Sequence, residues 1–268
     1  MSELPWQLKL LNKSLKKKLK MKFLRKHAQN LANSKCLLIT CGDNNGAMNY
    51  RVRGWGGEWT WAELENKSIK EIEELLHEPV IKLDSSTLKF PFADSHFDLV
   101  IVIDSHEHLV DPHPFNLEIA RITKKGGKVV ISVPNGDERK IAVKIKNLVG
   151  MTKEEYGHIV VGYEIPTLSS MLEKVGLKTR SSNTYSKFFT EMLELSINYA
   201  YVKVLSKKKG TEVEKGTIAP STKDQLGSVN KSIKLYSLIY PVFFLLSKLD
   251  LLLFFRSGYA VVLEAEKV

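Results

Sequence analysis

Cysteine is scarce: the 268 residues contain two, Cys36 and Cys41. Two thiols that close together exclude a disulfide framework, and within an apolar stretch they read as reduced and buried. No run of Cys and His has the spacing of a metal site, so no metal is expected. Gly-x-Gly-x-x-Gly is also missing, which disfavours a nicotinamide dinucleotide enzyme. The amino-terminal region lacks an uninterrupted apolar segment, because lysines break it every few residues. No secretory signal is expected, and a cytoplasmic location follows, with a peripheral position at the inner face of the membrane as an extension of it.

Hydrophobic residues make up 43% of the chain, enough for one sizeable core with additions. Lys and Arg outnumber Asp and Glu by 40 to 30. The excess is concentrated near the amino terminus and around residues 203–209, which points to an anionic surface, either membrane or nucleic acid.

The most informative stretch runs from Phe97 to Asn135. Leu99–Ile103 and Val129–Val133 are short apolar, β-branched runs separated by a helix-sized segment, Pro112–Thr123. Strands joined by such a crossover pair in parallel and are covered on both faces, which places the chain in the α/β class. Asp104, Ser105, His106, Glu107 and His108 follow the first of these strands directly, at the carboxyl end where open α/β sheets bind ligands.

Upstream, the apolar run from Lys35 enters a turn, Gly42-Asp43-Asn44-Asn45-Gly46, made of residues that tolerate unusual backbone angles. Glu58–Leu64 reads as a second strand. Its Glu63 lies about 20 residues beyond the glycine turn, the spacing of a ribose-binding acid, with Glu65 as competitor. Ser68–Leu76 has helical spacing, and Pro79–Leu83 is a third strand ending at Asp84-Ser85.

Asp104, Glu107, His108, Leu109, Asp111 and Pro112, followed by Lys124, Gly126, Gly127, Ser132, Pro134 and Asn135, form a pattern similar to one in class I S-adenosylmethionine-dependent methyltransferases. The resemblance covers residues 36 to 180 and is closest to the branch that modifies small molecules, quinones or lipids. It implies a Rossmann-like sheet of seven strands, mostly parallel with the last one antiparallel, and helices on both faces. It also implies S-adenosyl-L-methionine as cofactor. Thr40, Gly42, Asp43 and Asn44 would approach its methionine moiety, Glu63 its ribose, and Asp84 with Ser85 its adenine, while Asp104 and Ser105 would line the floor beneath. His108 corresponds to a family histidine that is structural or catalytic. His158, in the later segment EEYGHIVVGYEIP, would orient the acceptor or take its proton. Leu38, Thr40 and Asn44 stand where the family has an acid and two glycines.

Around this core, residues 35–187, three further parts are expected. Residues 1–34 form a basic amphipathic helix over Pro5–Asn30, with Leu8, Leu11, Leu15, Leu19 and Phe23 on one face. Either it adsorbs to anionic lipid or it packs its leucines on the domain. Residues 188–257 form a helical cap insertion, comprising a helix over Phe188–Leu205, a mobile linker at 206–228 and the apolar run Leu235–Phe255. Residues 258–268 are the last core strand. The apolar run approaches spanning length, but Pro241, Lys248 and Asp250 interrupt it, and each central charge costs about 2.5–3.5 kcal/mol against about 0.3–0.6 gained per Leu or Phe. A single span would also strand the last strand across the bilayer, so an interfacial cap is expected.

The expected activity is methyl transfer to a small-molecule or lipid-like acceptor at the membrane surface. One alternative is a noncatalytic membrane adaptor with a degenerate cofactor loop. The other, a nucleic-acid methyltransferase, is disfavoured because the basic residues lie beside apolar runs and the strand end lacks an Asn/Asp-Pro-Pro-aromatic signature.

Overall fold

The computed structural model describes residues 4–42, 44–84, 89–205 and 215–268. Asp43, Ser85 and the 206–214 part of the expected linker lie outside them.

Seven strands form one sheet: β1 (Lys35–Thr40), β2 (Glu58–Glu63), β3 (Val80–Lys82), β4 (Phe97–Ile103), β5 (Thr123–Pro134), β6 (Leu177–Tyr185) and β7 (Ala260–Lys267), in the order β3-β2-β1-β4-β5-β7-β6. β1 to β5 pair in parallel, and β7 runs antiparallel between β5 and β6. The β-branched and leucine-rich runs of β1 and β4 are buried on both sides, as strands covered by helices on both faces must be. Residues alternate between two cores, with Leu37, Ile39, Val100 and Val102 in one and Leu38, Ile101, Ile103 and Val130 in the other.

Helices α3 (Ala47–Arg53), α4 (Asn66–Leu76), α5 (Pro112–Ile122), α6 (Ile141–Leu148) and α7 (Ile165–Glu173) surround the sheet. Asp111 caps α5 by accepting from the His113 N–H at 2.9 Å, with Pro112 at its first position. The short α3 has no counterpart among the expected helices. Its left-handed N-terminal Gly46 has φ +84°, and so short a helix gives too little periodicity to read.

The amino-terminal segment differs from the single helix expected. It breaks into α1 (Trp6–Leu11) and α2 (Leu15–His27), because Ser14 caps the second helix by accepting from the Lys17 N–H at 3.2 Å. Leu8, Leu11, Leu15 and Leu24 are buried against the domain, each contributing about 1.5–3 kcal/mol. Packing therefore claims the apolar face. Lys9, Lys18, Lys22 and Lys26 remain exposed.

The insertion comprises α8 (Phe188–Tyr199), a π-type turn at Ala200–Leu205, α9 (Lys223–Ser247) and a 3-10 segment at Lys248–Leu253. A capping box between Thr222 and Gln225 starts α9, so residues 223–228 of the expected linker are helical.

Candidate functional site

The carboxyl ends of β1 and β4 open into a pocket of about 250 Å³, roofed by α1, α2, α8 and the first half of α9. Its floor includes Thr40, Asn44, Asp104, Glu107 and His108, and its walls include Lys16, Lys20, Lys146, His158, Glu191 and Tyr236.

The loop after β1 is held by its own side chains. Thr40 Oγ1 donates to Glu63 Oε2 at 2.6 Å, and the Gly42 N–H donates to Glu63 Oε1 at 2.9 Å. Asn44 Nδ2 donates to Thr40 Oγ1 at 3.0 Å and to Asn49 Oδ1 at 2.9 Å, while its Oδ1 accepts from the Gly46 N–H at 3.0 Å. Thr40 and Asn44 thus supply hydrogen bonds where the resembling family has bare glycines. Gly42 keeps the left-handed conformation, φ +75°, and a Cβ there would lie 3.0 Å from Glu65 Oε2.

This network places Glu63, the expected ribose acid, inside the loop. The residue is fully buried, and its oxygens accept from Thr40, Gly42 and the Glu65 N–H. Glu63 is therefore turned into the loop and is not part of the pocket lining. Burial raises its pKa, against the pull of those hydrogen bonds. Glu65 is the acid that faces outward: its side chain is 35% exposed and pairs with Lys67 at 2.8 Å. Ser105 is not part of the pocket lining. It is buried, and its hydroxyl turns back to donate to the Ile103 carbonyl at 3.0 Å. Asp84 is exposed beyond β3, away from the pocket lining.

Asp104 does line the pocket, in a left-handed conformation with φ +46°. Burial would raise its pKa, but the Lys20 ammonium, directly hydrogen-bonded to it, outweighs burial and lowers it. Lys20 comes from α2 and is itself buried, although its place in a lysine-rich helix suggested a solvent- or lipid-facing side chain.

His108 and His158 meet in the pocket, with ring centroids 4.8 Å apart at 81°. His108 Nδ1 donates to the Gly157 carbonyl at 2.9 Å. Burial lowers both pKa values, that of His158 to about 3 with help from neighbouring His108, so both rings are neutral at pH 7. His106, two residues closer to the strand, is structural: it is buried, and its Nε2 bonds Asn116 Oδ1 at 2.8 Å.

A second ionic cluster has no signature in the sequence. Glu191 on α8, 2% exposed, pairs with Lys16 of α2 at 3.0 Å and with Lys146 of α6. Burial would raise the Glu191 pKa, yet Lys146 and Lys16 hold it down to about 2. At Lys16 burial would lower the pKa, but the Glu191 charge prevails and raises it; at Lys146 burial prevails and lowers it, reinforced by repulsion from Lys16.

In sequence, residues 37–131 match a family model described as a methyltransferase domain. No curated protein matches the chain. Among solved structures, a Bacillus halodurans C-125 protein described as a candidate methyltransferase is similar at 17% identity, over 93% of this chain and 99% of that one, with a TM-score of 0.55. Geranyl diphosphate C-methyltransferase from Streptomyces coelicolor A3(2), solved with Mg2+, geranyl diphosphate and S-adenosyl-L-homocysteine, is 13% identical over 94% and 79% of the two chains, TM-score 0.54. The [4+2]-cyclase SpnF is 16% identical over 92% and 80%, TM-score 0.56, so the shared fold alone does not name a reaction. With the β3-β2-β1-β4-β5-β7-β6 sheet, these similarities establish that the chain has the class I methyltransferase fold, with residues 37–131 similar in sequence to a methyltransferase domain.

Proposed function

We propose that the protein transfers a methyl group from S-adenosyl-L-methionine to a small, lipid-like acceptor drawn from an anionic membrane surface. The observation that carries this reading is that α9 both lines the pocket and, with the segment that follows it, bears an exposed apolar surface. Ile233 and Tyr236 of α9 line the pocket, while Leu238, Leu245, Leu251, Leu252, Phe254 and Phe255 beyond them are 65–82% exposed.

The donor set fits the cofactor. A bare backbone at Gly42 under the half-exposed Glu65 carboxylate suits a ribose, and the Lys20–Asp104 pair offers both charges that an amino-acid zwitterion needs. The cofactor supplies an electrophilic methyl carbon. The protein's part is to align the acceptor and exclude water. His158 and His108 face the acceptor side, where His158 orients the acceptor.

Membrane contact follows from charge as well as apolarity. Lys231, Lys234, Lys248 and Arg256 are exposed on the same stretch, and Lys18 of α2 reaches it, donating to Tyr240 Oη at 3.0 Å. The one acid between Lys231 and Arg256, Asp250, is occupied in capping α8 by accepting from the Phe189 N–H at 2.8 Å. Each basic residue near an anionic surface contributes about 1 kcal/mol. The helical stretch Lys223–Leu253 is long and apolar enough to cross a membrane by length and composition, but β7 returns to the sheet beside β6, which favours lying in the interface.

Calorimetry with S-adenosylhomocysteine and flotation on phosphatidylglycerol and phosphatidylcholine vesicles test the two halves. Binding of the ligand, and anionic vesicle binding lost in the double variant Leu251→Glu/Phe254→Glu, are expected. A folded protein that binds vesicles but not the ligand is the adaptor alternative, and one that binds neither sinks both.

A further inference from the structure

A carboxylate oxygen of Glu107 and one ring nitrogen each of His108 and His158 lie within 4.8 Å of one another. Two backbone-directed contacts hold them there. The Ile159 N–H donates to the Glu107 carbonyl at 2.8 Å, and the His108 ring donates to the Gly157 carbonyl at 2.9 Å. His158 is clamped between these two points. Because the Gly157 carbonyl can only accept, His108 carries its proton on Nδ1 and leaves the Nε2 lone pair free. Metal-bound histidines have this arrangement, with the second nitrogen fixed by a carbonyl or carboxylate.

Glu107 supplies an independent observation. It is fully buried, and neither carboxylate oxygen has a hydrogen-bond partner among the described residues. A buried polar group without a partner is costly and calls for an explanation. Methyl transfer makes no use of it.

We propose that Glu107, His108 and His158 bind a divalent first-row transition-metal ion in the acceptor pocket. Two imidazoles and one carboxylate suit Zn2+, Mn2+ or Fe2+ and disfavour Ca2+, which takes oxygen ligands throughout. Cys41 and Glu65 form a second group around the same His108. Unlike the Glu107 oxygens, its donors have partners within the fold, the thiol on Glu65 Oε1 at 3.8 Å and Glu65 on Lys67 at 2.8 Å. Since all three proposed ligands line the pocket, an ion held by them leaves positions for an acceptor's oxygen. That narrows the acceptor to a hydroxyl- or carboxyl-bearing molecule. Only this narrowing rests on the methyl-transfer reading; ion binding does not.

The test is titration of the chelator-stripped full-length protein with Co2+, followed by its visible ligand-field absorption, with Zn2+ as competitor. One equivalent is expected to bind. Glu107→Gln and His158→Gln should each weaken binding about 10-fold or more, and Cys41→Ser should leave it unchanged. Circular dichroism melts identify folded variants; Glu107→Gln is isosteric and His158 lies on a loop, so one of the two remains interpretable. No uptake by the wild type, uptake indifferent to a folded Glu107→Gln or His158→Gln, or loss on Cys41→Ser alone would overturn the assignment. S-adenosylhomocysteine binding measured on the same samples separates failure of the metal site from failure of the cofactor reading.

Discussion

Replacing Glu191 by Gln would remove one charge and keep the shape of the side chain. In the wild type the buried Glu191 carboxylate faces two ammonium groups and accepts from the Ser186 hydroxyl at 2.8 Å. Its pKa is about 2 instead of 4.5, which corresponds to about 3 kcal/mol of stability at neutral pH. Mutational breakage of a buried pair costs a similar amount, about 3–5 kcal/mol. Lys16 and Lys146 retain 26% and 18% exposure and gain some hydration when left alone, so the lower end applies, about 3 kcal/mol. The pH dependence follows from the sign of the shift. A carboxyl depressed in the folded state contributes fully above its unfolded value of about 4.5, and that contribution is lost as pH falls towards 2. Urea unfolding at pH 7 and again between pH 5 and 3 measures both quantities. Glu191→Gln should lower stability at pH 7 and flatten the acid limb, so that the two proteins converge at low pH. A change below about 1 kcal/mol at pH 7, together with an unaltered acid limb, would show that the cluster is solvated and that the α2–α6–α8 junction is held by packing alone.

Three other outcomes are expected. Glu63→Ala leaves the Thr40, Gly42 and Glu65 donors without their acceptor and should cost about 3 kcal/mol in thermal or urea melts. Glu65→Ala should leave the melting curve in place and weaken S-adenosylhomocysteine binding by calorimetry about 10-fold, the loss of a charge-assisted hydrogen bond; the reverse pattern would restore Glu63 as the ribose ligand. At Gly162, φ +150°, a Cβ would overlap the Pro134 carbonyl oxygen, so Gly162→Ala should fail to accumulate as soluble protein, whereas a normally folded variant would refute the tightness of that contact.

Much of the fold was legible because β4 and β5 carry near-continuous apolar runs on either side of a capped crossover helix, a pattern that admits few alternatives. The site was read less well, for physical reasons. Glu63 and Glu65 are both acids at the end of β2, and which one turns inward depends on the Thr40 hydroxyl 23 positions away. Lys20 resembles its neighbours in a basic helix, and its partner Asp104 is 84 positions distant. Glu191 became a cluster centre only when α2 and α6 converged on it. Sequence spacing reports contacts within an element; these contacts join elements.

Tyr185 and Ala260 face each other across the β6–β7 ladder, so the whole insertion leaves and rejoins the sheet at neighbouring points. Compared with a tight hairpin, closing so long a connection adds only about 3 kcal/mol of loop entropy, since that cost grows with the logarithm of length. The cap is therefore inserted at one hairpin at little entropic cost, and the Glu191 pairs with Lys16 and Lys146 fasten it to the rest of the domain.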